Sequence, residues 1–202
     1  MTPSRSHRLA VAFIAVLAMI PTAACNDPVG STPIEGRVGF TFGGGTGQFS
    51  AAGDLVLDRG IPNFDEWAVA ADPDSVGGIV ITAFQPSATQ GEGDLFILQL
   101  RPARTGGFAP CAPNAQCHGR LFRGWKIDLT GFAEWFEIVS GSVDVDQLSE
   151  SRIRGSFQFT LRDNDGQGTN ILTIENGSFD VPVSDAAGQL LCSVPPVASC
   201  TS

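Results

Sequence analysis

Apolar side chains recur at every second position along most of the chain. Ile34, Val38, Phe40 and Phe42 fall on one side of a run whose other side carries Glu35, Arg37 and Thr41, the pattern of a half-buried strand. The same period returns in Phe49, Ala51, Leu55 and Leu57, in Trp125, Ile127 and Leu129, and in Val143 and Val145. It is clearest in Ile153, Phe157, Phe159 and Leu161, opposed by Arg152, Arg154, Gln158, Thr160 and Arg162. Two runs, 78 to 84 and 94 to 100, are apolar at consecutive positions, which predicts central strands covered on both faces. Only the segment 129 to 139 departs from this period. There Phe132, Trp135 and Phe136 stand three and four apart, which predicts one helical turn as a short connector across the end of the fold.

The C-terminal third repeats itself: Gly155-Ser156-Phe157-Gln158-Phe159 returns as Gly177-Ser178-Phe179-Asp180-Val181. Asp165-Gly166 turns the chain between a strand at 151 to 162 and another at 169 to 175. Asn176-Gly177 supplies either a second tight turn or a bulge in one long bent strand. Pro182 lacks a ladder donor and so marks an edge or a strand end. The pattern predicts an all-β domain, an antiparallel β-sandwich or partly closed barrel of about nine or ten strands.

The N-terminus reads differently. Arg5, His7 and Arg8 precede an uncharged apolar run from 9 to 20, too short to span a bilayer and suited to the helical core of a signal peptide. Thr22-Ala23-Ala24-Cys25 follows, resembling the lipobox of bacterial lipoproteins in which the cysteine is acylated, with Thr22 in place of the usual Leu. The expected organisation is a lipoprotein signal peptide at 1–24, lipidated Cys25 and a flexible tether at 25–33, the β-domain at 34–191, and a disulfide-pinned tail at 192–202. Asn26 follows the cysteine where an Asp would resemble an inner-membrane retention signal. The expected address is thus the cell envelope, on the outer membrane if the cell has two.

Assigning Cys25 to lipid leaves Cys111, Cys117, Cys192 and Cys200 out of five cysteines. Four can pair in three ways, and the short separations favour Cys111 with Cys117 and Cys192 with Cys200, in an oxidising compartment. Neither spacing suits a zinc ribbon. Without residues 1 to 24 the chain carries 10 basic and 21 acidic side chains, which argues against nucleic acid as a partner.

Little in the sequence points to catalysis. His118, beside Cys117 in a Gly/Pro-rich stretch, reads as an exposed loop histidine with no nucleophile elbow. Glu92 with Asp94, and Asp144 with Asp146, have the residue types of a glycosidase pair, but acids two apart on a strand share one solvated face. No catalytic residue is assigned and no cofactor is required. The candidate ligand motif is Asp163-Asn164-Asp165-Gly166, whose oxygens suit calcium but which also reads as an ordinary hairpin turn; Asp72-Pro73-Asp74 is a weaker acidic turn.

Ser140-Gly141-Ser142-Val143-Asp144-Val145, then 152 to 159 and 173 to 181, together with Phe49-Ser50-Ala51 and Trp67-Ala68-Val69-Ala70, resemble a family of uncharacterised all-β bacterial lipoproteins. The resemblance is best over residues 140 to 183. Its motifs are packing motifs, so it implies a fold and an address without an activity. Two function classes follow: a non-catalytic module binding an envelope protein or glycan, or a small-ligand carrier or hydrolase using a cleft. Exposure of Trp67, Trp125, Trp135 and Phe136 would favour ligand contact by aromatics, and their burial a packing role.

Overall fold

The structure, a computed structural model, describes residues 35–58, 61–63, 65–71, 78–126, 128, 130–164 and 170–184. The chain divides into two compact units, Met1–Thr32 and Pro33–Ser202, and every described residue belongs to the second. It is all-β. The strands are β1 (Gly36–Phe42), β2 (Gln48–Gly53), β3 (Leu57–Asp58), β4 (Ile61–Pro62), β5 (Trp67–Ala71), β6 (Ile79–Pro86), β7 (Glu92–Leu100), β8 (Gly106–Phe108), β9 (Cys117–Lys126), β10 (Glu134–Leu148), β11 (Arg152–Asp163) and β12 (Ile171–Pro182). All but β3 and β4 form one antiparallel sheet, ordered β2-β1-β12-β11-β10-β9-β7-β6-β5, with β8 continuing along β10 beyond the end of β9.

The sheet curls until its ends nearly meet, making an almost closed barrel. Nine strands in antiparallel succession leave the two seam strands, β2 and β5, pointing the same way, so no further antiparallel ladder joins them. Closure relies on close approach instead. A Cβ on Gly36 would lie 1.6 Å from the Ala68 carbonyl oxygen, and one on Gly53 2.7 Å from that of Glu66. Ala70 makes a parallel bridge to Val183, and the Ser184 amide donates to the Ala70 carbonyl (2.6 Å).

Alternation places Val38, Phe40, Phe49, Phe96, Leu121, Ile138, Phe157, Phe159, Leu161, Ile174 and Phe179 in one buried core inside the barrel. The rings interlock: Phe157 stacks on Phe96 (5.4 Å between centroids) and Phe159 (5.0 Å) and meets Phe40 edge-on (5.9 Å). As the two unbroken apolar runs predict, β6 and β7 are buried on both faces. Their outer face forms a second cluster with Trp67, Val69, Val80, Phe84, Leu95, Ile97, Phe122 and Trp125, against which Leu55 and Trp135 pack. Around β10 to β12 the exterior is polar, with Arg154, Gln158 and Arg162 exposed. Along β10 to β12, apolar inside and polar outside is the reverse of the pattern on a membrane-spanning strand. No helix among the described residues is long and apolar enough to cross a membrane.

Four expectations are corrected or decided. The helical turn expected within 129 to 139 is not formed: Trp135 and Phe136 lie on β10, opposite Phe122 and Leu121, because pairing to β9 buries Phe136 inside and stacks Trp135 on Phe122 outside. The run Phe49 to Leu57 is not one strand, since β2 ends at Gly53, where φ is +124°. Asn176-Gly177 is a bulge in a continuous β12, with Asn176 at φ 53°, and it shifts the register toward both β1 and β11. Pro182 stands at the end of β12, as its missing donor requires.

The sequence echo has a geometric meaning. Ser156 pairs with Ser178, and around it Gly155 faces Phe179 while Phe157 faces Gly177. Each glycine leaves the space its partner's ring occupies: a Cβ on Gly155 would lie 2.6 Å from the Phe179 ring, and one on Gly177 2.4 Å from that of Phe157. Gly141 does the same for Phe159 (2.7 Å).

Candidate functional site: the mouth of the barrel

The inward register of the strands turns polar at one end. On β6 it runs Ile79, Ile81, Ala83 and then Gln85; on β7, Leu100, Leu98, Phe96 and then Asp94. On β9 Leu121 is followed by Arg123, on β10 Phe136 is preceded by Glu134, and on β11 Leu161 is followed by Asp163. A polar layer thus caps the apolar plug at the end where β1 turns into β2, β6 into β7, β9 into β10 and β11 into β12.

An open cleft of about 550 Å³ lies in this layer, lined by Phe42, Thr46, Gly47, Gln48, Gln85, Pro86, Ser87, Asp94, Arg123 and Leu172. Its size falls within the range of small-molecule sites, roughly 300 to 1,000 Å³. Arg123 is its electrostatic centre: Nε lies 3.6 Å from Asp94 and Nη1 3.9 Å from Glu134. Burial raises the Asp94 carboxyl above its ordinary value, outweighing the Arg123 charge and the Gly124 backbone hydrogen bond that pull it down. Asp94 is therefore not simply part of a solvated acidic face with Glu92, whereas Asp144 and Asp146 are exposed. The Gln85 Oε1 accepts from the Ser50 amide (3.1 Å), tying β6 to the seam strand β2 and fixing the amide at the cleft wall.

The other candidates fall elsewhere. The Cys111–Cys117 disulfide is formed, with both residues buried against the barrel core. Cys25, Cys192, Cys200, Asp165 and the Asp72-Pro73-Asp74 turn lie outside the described residues. Asp163 is buried and its Oδ2 accepts from the Asn170 side chain (3.1 Å), while Asn164 is exposed. Among the described residues no three His, Cys, Asp or Glu side chains gather to hold a metal.

His118 is no loop histidine; it sits half-buried on β9, opposite Gln99. Its Nδ1 lies 3.2 Å from the Ala115 carbonyl, and with the Gln99 amide turned to satisfy both neighbours, that nitrogen donates to Nε2 (2.7 Å) and its oxygen accepts from Arg101 (2.6 and 2.8 Å). This holds a neutral ring in one tautomer, and burial lowers the His118 pKa. Trp67, Trp125 and Phe136 are fully buried, so their role is packing. Trp135 is half-buried, with the Arg120 guanidinium 4.9 Å over its ring. The aromatic ring lining the mouth is that of Phe42, which no reading of the sequence had set apart from the core. Its signal is present: a polar residue at the inward position ending several strands.

No family model, curated protein or solved structure matches the chain.

Proposed function

We propose that the chain is an exported lipoprotein of the cell envelope, held by acylated Cys25, whose barrel is a non-catalytic binding module using its mouth. The observation behind this reading is the polarity of the barrel. The chain enters the described fold at Gly36, whereas Phe42, at the other end of β1, lines the cleft. Seven strand residues separate the two ends by about 20 Å. The cleft therefore opens at the end of β1 remote from Gly36. The resemblance to uncharacterised lipoproteins supports the same address, and Asn26 after the cysteine supports the outer membrane of a two-membrane cell.

A carboxylate kept where burial disfavours its charge, inside a cleft, supports a binding role for the mouth. A carrier enclosing its ligand is less well supported, since apolar side chains fill the barrel interior. A hydrolase would need Asp94 and Glu134 to act apart, and both are drawn to Arg123. The test is site-specific photo-crosslinking in intact cells, with the photoreactive residue at Thr46 in the mouth or at Arg154 on the barrel wall. Adducts formed from position 46 and not from 154 are expected. Adducts from 154 alone, or from neither, would overturn the reading.

A further inference from the structure

We infer that the mouth cleft binds a neutral saccharide unit; this rests on the reading of the mouth as the binding surface. Arg123 is flanked by Asp94 and Glu134, so an anionic ligand would meet two carboxylates and would have to displace one of them, while a cationic ligand would compete with the guanidinium for them. The remaining polar lining is neutral: the hydroxyls of Thr46 and Ser87 and the amides of Gln48 and Gln85. Such groups both donate and accept, as sugar hydroxyls do, while a carboxylate beside a guanidinium presents an acceptor next to donors.

The apolar part of the lining fits the same ligand. Phe42, Pro86 and Leu172 offer flat or rigid apolar surface to the C–H face of a sugar ring, and Phe42 is braced edge-on by Phe40 (5.4 Å between centroids). Gly47, at φ 149°, adds no side chain where its Cβ would come 3.6 Å from the Phe42 ring, leaving that ring accessible from the turn. About 550 Å³ admits one or two rings and not a long chain, so the site suits a glycan end or a short branch.

Calorimetric titration of the full-length protein in detergent with maltose, cellobiose and chitobiose, and with galacturonate and spermidine as charged probes, tests this. At least one neutral disaccharide is expected to bind, and Asp94→Asn, Arg123→Gln and Phe42→Leu should each weaken it about tenfold or more, the value of one well-placed hydrogen bond or contact. Asp144→Asn, on the outer wall, should leave it unchanged. Because Asp94→Asn replaces a charge that burial disfavours, its fold should survive; unaltered circular dichroism and melting confirm that lost binding is local. Binding of only a charged probe, weakened by the same variants, overturns the saccharide assignment and keeps the mouth. Disaccharide binding indifferent to all three variants overturns both. Binding of no probe overturns the saccharide assignment, and the crosslinking at Thr46 then decides the mouth by itself.

Discussion

At the scale of single residues, the account depends on glycines that make room for rings and on two titratable groups held away from their ordinary behaviour. Gly155→Ala should cost about 1 to 3 kcal/mol in urea unfolding, because its Cβ would lie 2.2 Å from the Asp144 carbonyl oxygen as well as against Phe179. Gly131→Ala, with nothing near its Cβ, should be close to neutral. Phe157→Ala removes the ring that touches Phe40, Phe96, Phe159 and Phe179, and should cost about 3 to 5 kcal/mol. His118 has a folded pKa below its ordinary 6.5, so the unfolded chain takes up its proton first. Stability should therefore fall as pH drops below about 6.5 toward the folded value, and the His118→Gln variant should lack that component. An unfolding midpoint with the same pH slope in both proteins would count against the buried neutral ring. Asp94 has the opposite sign. Its raised pKa means that the folded state binds the proton more readily, stability drops as pH rises from 3.8 through the folded value, and Asp94→Asn should match or exceed the parent above that range.

At the scale of elements, period-two alternation was a sound guide wherever a strand has one face in the core, as β11 shows from Ile153 to Leu161. Unbroken apolar runs were equally informative for β6 and β7, whose outer faces lie under a second apolar layer. Local spacing failed at Phe132, Trp135 and Phe136 because three aromatics in five residues satisfy a helical turn and a strand flanked by two cores equally well; pairing of 134–137 with β9 decides between them, and no local signal reports it. His118 was misplaced for a related reason. The stretch before it is turn-like, but Cys117 is the first residue of β9 and pairs with Leu100. The disulfide it forms with Cys111 closes a short loop, so reduction, or replacement of both cysteines by alanine, should lower stability by about 2 to 2.5 kcal/mol in the chain-entropy picture. A thermal midpoint unmoved by reductant would show that the loop is held by its contacts alone.

At the scale of the whole molecule, barrel closure and the mouth were the parts least visible in the sequence, because both come from strands far apart in the chain. Gly36 and Ala68 meet only once the sheet has curled, and the cleft takes residues from six strands and the turns after two of them. Gly36→Ala should force the seam open; faster hydrogen exchange at the Ser184 amide, which donates to Ala70, is the expected sign, and unchanged protection would mean that closure does not depend on this contact. The N-terminal reading, by contrast, is a matter of local sequence, and the proposed lipid anchor at Cys25 rests on it alone. Intact mass and N-terminal peptide mass of the mature protein purified from envelope membranes test that claim most directly. The account predicts a chain beginning at Cys25, heavier than residues 25 to 202 by the mass of two or three acyl chains with glycerol, and found unmodified and released when Cys25→Ala is expressed. A mature chain that begins elsewhere, or that carries Cys25 as a free thiol, would contradict it.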